Sequence, residues 1–256
     1  MAKNKNKTKN TKKKHKGLFF RFIRKIACFF YGKRKFIGLE NIPNEPCVIV
    51  GNHAQLNGPL TAELKFPYKK KTWCIGNLMH LKEAPQYAFE DFWGYKPKRV
   101  QWFYKWLAYI LSPLLVYLHT NADTIGVYKD NRVLSTFKKS VRALKNEEHI
   151  ILYPECHTPY NNIVNEFQTR FVDIARLYYK ETGKELSFVP MYIAATLKSV
   201  VFGHPIKYDS SVPIEQQRQD VCEYLKSQIT QIAQGLPVHT VVPYANISKK
   251  NYPKSK

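Results

Sequence analysis

Acidic residues are scarce in this chain of 256 residues: 19 Asp and Glu stand against 41 Lys and Arg, and none precedes Glu40. The resulting net charge of +22 points to an anionic partner and says little about the fold. Cysteines are few and scattered, at positions 28, 47, 74, 156 and 222, with no CxxC pair. That excludes a disulfide framework and fits reduced thiols in a cytoplasmic protein. His80, His119, His149, His204 and His239 show no ligand spacing, so no metal is expected. No apolar run reaches the roughly 20 residues that a membrane span needs. The stretch WLAYILSPLLVYL at 106–118 is interrupted by Ser112-Pro113. It reads as a core helix broken at the proline, or as a partly lipid-facing one. The chain has no secretory signal, no glycine-rich phosphate loop, no Gly-x-Ser-x-Gly elbow and no internal repeat, which sets aside P-loop nucleotide chemistry and serine-elbow hydrolysis.

What is present begins with the charge. Residues 1–16 hold eight lysines among asparagines and offer nothing to bury, the composition of a disordered tail. In residues 17–35, Phe19, Phe22, Ile23, Ile26, Phe29 and Phe30 recur at spacings of three and four, with Arg21, Arg24 and Lys25 between them. This is a basic amphipathic helix that stops at Gly32. Such a helix lies in an anionic membrane interface, each nearby Lys or Arg contributing about 1 kcal/mol. The expected location is peripheral, on the cytoplasmic side of a membrane. The alternative is that the apolar face docks on the domain. Residues 241–256 read as a basic C-terminal tail. A nucleic-acid partner is not expected, because no recognition element stands behind the lysines.

Residues 36–240 read as one α/β domain. Strands are predicted at 47–50, 72–75, 124–128, 149–153 and 187–193. Helices are predicted at 58–65, 134–146, 166–180 and 214–234, with Gly183 closing the third. This alternation indicates a mostly parallel sheet flanked by helices. In such sheets ligands collect at the carboxyl ends of the strands, and His53, Lys129 and Glu155 each closely follow a predicted strand.

Four blocks in order carry a resemblance. The stretch GLENIPNEPCVIVGNHAQLNGPL resembles the first block of the glycerolipid acyltransferases, the lysophosphatidate acyltransferase-like family, in which Asn-His is followed after four residues by Asp. Asn52-His53 fits that pair, and Gly58 stands at the aspartate position. Thr124 to Lys129 resembles the second block, with Lys129 at its arginine. Tyr153-Pro154-Glu155-Cys156-His157-Thr158 resembles the third, which reads Phe-Pro-Glu-Gly-Thr-Arg. Phe188-Val189-Pro190-Met191 resembles the fourth. The likeness spans about residues 36–236.

The resemblance implies that His53 is a general base. It takes the proton of a lipid hydroxyl, which attacks the thioester of acyl-CoA or acyl-carrier protein, with no other cofactor. It places Asn52, Gly58, Lys129, Glu155, His157 and Thr158 in the substrate site, Lys129 facing a phosphate. The departures matter. Losing the orienting carboxylate of a catalytic histidine costs about 10⁴-fold in kcat in a serine-hydrolase triad. Asn57 is a candidate substitute through its amide oxygen, or else belongs to the start of the helix at Pro59. Glu63 and Glu155 are further candidates if the fold brings them near. Thr158 in place of arginine weakens a phosphate clamp, which leaves another lipid hydroxyl or an amine open as acceptor. The alternative function is a catalytically degenerate lipid-binding or scaffold protein of the same fold.

Overall fold

The computed structural model describes residues 17–256. The expected disordered tail at 1–16 lies outside the described residues. Helix α1 (Leu18–Tyr31) leads into β1 (Lys35–Ile37), β2 (Val48–Gly51), α2 (Asn57–Leu64), β3 (Lys70–Ile75), α3 (Ala84–Trp93) and α4 (Lys98–Asn121). Then follow β4 (Thr124–Val127), α5 (Val133–Lys145), β5 (His149–Leu152), β6 (Glu155–Pro159), β7 (Asn165–Phe167) and α6 (Asp173–Thr182). The chain continues through β8 (Ser187–Ala194), β9 (Ser199–Phe202), β10 (Ile206–Lys207) and α7 (Ile214–Gly235).

The main sheet runs β1-β9-β8-β2-β5-β3-β4, with β10 beside the start of β8. Every pairing from β8 through β2, β5 and β3 to β4 is parallel, whereas β9 and β10 run antiparallel to β8. This is the mostly parallel α/β sheet that the alternation of elements predicts. The central strands are continuous apolar runs because both faces are covered. Alternate residues divide between two cores: Val48, Val50, Ile150 and Leu152 pack beneath α5, α6 and α7. Ile49, Ile151, Val189 and Met191 pack on the other side with Ala62 of α2. A smaller cluster of Leu78, Ala84, Ala88, Phe89 and Ala108 joins α3 to α4.

Three sequence expectations are corrected. The helix expected at 166–180 begins only at Asp173; before it, β7 pairs antiparallel with β6 and 169–172 form a 3-10 turn. The apparent helical spacing of Phe167, Phe171 and Val172 is that of a strand followed by a tight turn, all three packing into one core. The stretch 106–118 is not broken at Pro113 but lies within α4, an unbroken helix of 24 residues. Nor is it a core helix, since only Ala108 and Ser112 on α4 are fully buried. Residues 241–256 are not a trailing tail: Val241 and Ser255 are buried, and the segment folds back on the domain. No described helix is long and apolar enough to cross a membrane.

Helix α1 is held by α2 and α4 while its predicted apolar face turns outward. Arg24 donates to the Glu63 carbonyl at 2.8 Å, and the Tyr31 hydroxyl donates to the Asn57 carbonyl at 2.9 Å. The Phe20 N–H donates to the Tyr117 hydroxyl of α4 at 3.1 Å. Phe19, Phe22, Ile26, Phe29 and Phe30 remain exposed.

Candidate active site

His53 lies two residues beyond the end of β2, at the carboxyl edge of the sheet. The chain must turn sharply there to enter α2, and Ala54 and Gln55 both adopt left-handed backbone, at φ 45° and 54°. Consecutive non-glycine residues in that region are held against intrinsic preference, so the surroundings must define the loop. Asn52 anchors it on one side: its Oδ1 accepts the Ile193 N–H of β8 at 2.7 Å, and the residue is buried. Glu155 anchors it on the other. One carboxylate oxygen accepts the His53 N–H at 2.5 Å and the second accepts the Asn165 N–H of β7 at 2.9 Å. Burial raises the Glu155 pKa to about 7, against the two N–H donors that favour its carboxylate.

The imidazole is partly buried, and its enclosed Nδ1 meets no side-chain partner. Burial pulls the His53 pKa below its ordinary value, with a smaller opposing contribution from the Gln55 backbone. The neutral ring therefore prevails at pH 7, the form a general base requires. Two phenol rings stand beside it edge-on: Tyr153 at 5.4 Å and Tyr244 at 5.7 Å between centroids.

Gly58 is explained by the same geometry. A Cβ added there would lie 2.5 Å from the His53 carbonyl oxygen and 2.9 Å from the Tyr153 ring. The Tyr153 hydroxyl donates to the Gly58 carbonyl at 2.7 Å. The space an aspartate would need is thus taken by Tyr153. Burial raises the phenol pKa far above its usual range, so Tyr153 stays neutral and acts as a donor.

None of the three candidate substitutes bonds to Nδ1. Asn57 is the first residue of α2 and turns its amide nitrogen to the Ala54 carbonyl at 3.1 Å. Glu63 accepts from Arg24 and Lys70, at 3.3 and 2.7 Å. Glu155 is committed to backbone N–H groups, His53's own among them.

The remaining sequence-predicted residues divide. His157 and Thr158 project from β6 and are exposed, and the His157 ring lies 5.3 Å from that of Tyr244. Asp91 of α3 lies close by; desolvation raises its carboxyl pKa and His157 lowers it. Lys129 is not brought to His53. It follows β4, and three strand spacings along the path β2-β5-β3-β4 separate it from β2, about 14 Å. Among the described residues no salt bridge reaches Glu155 or Asp91.

Sequence reasoning missed the two tyrosines. For Tyr153 a signal exists: Tyr replaces Phe in the third block while Gly replaces Asp in the first, and the two changes meet in space. For Tyr244 the sequence carries no local signal.

No family model matches the sequence, and no curated protein does. In structure, the chain is similar to the 1-acyl-sn-glycerophosphate (LPA) acyltransferase PlsC from Thermotoga maritima. The TM-score is 0.50 at 16% identity, over 85% of this chain and 81% of that one. At this identity the likeness is one of fold. The class defined is therefore an α/β protein with the fold of an LPA acyltransferase, and here it bears a neutral histidine at the carboxyl edge of its sheet.

Proposed function

We propose that this protein is a membrane-surface acyltransferase of the glycerolipid type, moving a fatty acyl group from acyl-CoA or acyl-carrier protein to a lipid hydroxyl. The observation that carries this reading is His53: unprotonated at neutral pH, fixed by Asn52 and Glu155 through its backbone, at the strand ends where such sheets bind ligands. His53 accepts the proton of the acceptor hydroxyl as the oxygen attacks the thioester carbonyl. The tetrahedral intermediate collapses with cleavage of the C–S bond, and the imidazolium returns its proton to the leaving thiolate.

No carboxylate offsets the imidazolium formed in that step. A slow enzyme follows, in comparison with one that keeps the aspartate. Thr158 in place of arginine, and Lys129 beyond the end of a distant strand, favour a lipid hydroxyl without a phosphate clamp.

Membrane association is supported by two helices. Helix α1 exposes its aromatics, helix α4 exposes Trp102, Phe103, Trp106, Tyr109 and Ile110, and neither helix contains an acidic residue. Exposed apolar side chains with Arg21 and Lys25 on α1, and Lys98, Arg99 and Lys105 on α4, fit the interface of an anionic leaflet. The expected position is peripheral, on the cytoplasmic face.

The test is acyl transfer from a thioester donor to a panel of lyso-lipids, with wild type and His53→Ala. Transfer is expected with at least one acceptor and is lost in the variant. The second reading, a lipid-binding scaffold that kept the fold, is favoured by one observation, the lack of a side-chain acceptor at Nδ1. Acyl-lipid binding without thioester cleavage in either protein would establish it.

A further inference from the structure

The C-terminal segment is built as a strap. Its two legs pair: Val241 N–H donates to the Pro253 carbonyl at 2.9 Å, Ser255 N–H donates to the His239 carbonyl at 3.0 Å, and Thr240 and Lys254 form an antiparallel bridge. The base is tied to the sheet. The ring nitrogen Nε2 of His239 and the Tyr192 hydroxyl of β8 share a hydrogen bond of 2.8 Å, and Thr196 donates to the Thr240 carbonyl at 3.0 Å. The tip reaches back to the His53 loop. Gln55 donates to the Ala245 carbonyl at 3.2 Å and to the Tyr252 hydroxyl at 2.9 Å. Between those contacts Tyr244 sets its ring against His53 on one side and His157 on the other.

These contacts have a common effect. Gln55 is one of the two residues held in left-handed backbone immediately after His53, so the strap grips the most constrained part of the catalytic loop. Tyr153 comes from just beyond the end of β5 and Tyr244 from the strap. The imidazole, which has no carboxylate to aim it, is flanked by these two rings.

We propose that the strap is a working part of the active site and that Tyr244 is a positioning residue, its ring holding the His53 imidazole opposite Tyr153 where other designs use a carboxylate. This rests on the acyltransferase reading for its catalytic consequence, but the placement of the ring stands apart from it. The role belongs to the aromatic ring and not to the hydroxyl. The titratable groups facing His53 are Glu155 and Tyr153 from β6 and the end of β5, and Tyr244 from the strap. Around Tyr244 lie Asp91 and Tyr87 of α3, with Cys156 and His157 of β6.

The experiment compares wild type, Tyr244→Ala, Tyr244→Phe and Tyr252→Phe in the full chain. The His53 imidazole is titrated by NMR, its resonance assigned by its absence in His53→Gln. Thermal unfolding checks that each variant is folded. In Tyr244→Ala the His53 midpoint rises toward the ordinary 6.5 as water reaches the ring. Its kcat/KM for transfer falls, on the order of ten- to a hundredfold, through kcat. Tyr244→Phe keeps both at wild-type values, and Tyr252→Phe moves both in the direction of the alanine variant but less far. An unchanged His53 titration in folded Tyr244→Ala overturns the proposal. So does a phenylalanine variant as impaired as the alanine one. If the wild type transfers no acyl group to any acceptor yet the titration shifts, the acyltransferase reading fails and the positioning of His53 by the strap stands.

Discussion

Gly58 is the residue on which this site turns. Its place in the chain is where an orienting carboxylate is expected, yet any side chain there meets the His53 carbonyl and the Tyr153 ring. The glycine is therefore required by its neighbours. Gly58→Asp is expected to lower stability by about 1–3 kcal/mol, as overpacking of a filled site does. It is expected to bring no gain in transfer, which chemical denaturation and an activity assay check together. A faster enzyme from this one change would show that Tyr153 yields the space. His53 was legible from the Asn-His pair after an apolar strand. Its neighbours were not, because the Tyr153–Gly58 bond joins residues 95 apart in sequence and only the folded sheet brings them together.

At the scale of elements, the central strands were readable within a residue or two because a strand buried on both faces must be an unbroken apolar run. The β6–β7 hairpin was not. Its two short strands are joined also by Glu155, whose second oxygen accepts the Asn165 N–H, and no local pattern announces that bond. Helix α4 was misread at Pro113 for a related reason. A missing N–H leaves the Tyr109 carbonyl without its usual donor, and Tyr109 is exposed, so the loss falls at the solvent side of the helix and not in a core. The outward aromatics of α1 and α4 yield a direct prediction. Wild type is expected to sediment with vesicles containing anionic lipid and more weakly with zwitterionic ones. The paired changes Phe29→Ser with Phe30→Ser, or Trp102→Ala with Trp106→Ala, should weaken binding by on the order of tenfold or more. Equal binding by all variants would remove these helices from the membrane account.

At the scale of the molecule, the exposed aromatic surface of α1 and the loop that carries His53 are mechanically joined. Helix α1 bonds to α2 through Arg24 and Tyr31, and α2 begins four residues after His53. The strap closes the same loop from the opposite end of the chain. A lipid acceptor drawn from a bilayer would thus approach a base whose supports come from β8, β6, α2 and the C-terminus. The overall α/β class follows from the alternation of strand and helix patterns, whereas the folded-back C-terminus does not, since nothing in residues 241–256 marks them as more than a basic tail.

The most direct measurement is the pH dependence of kcat/KM for acyl transfer on vesicles, for wild type and His53→Gln. Protonation disables a general base. Burial lowers the His53 pKa, so protonation of the base removes activity only as the pH drops below 6.5 through that lowered value, whereas Glu155, raised to about 7 and bonded to the His53 N–H, titrates above it. The wild type is predicted to show this acid limb from His53, with its midpoint below 6.5, and His53→Gln to be inactive across the range. Transfer by His53→Gln at the wild-type rate, or a profile without the limb, would contradict the assignment of His53 as the base.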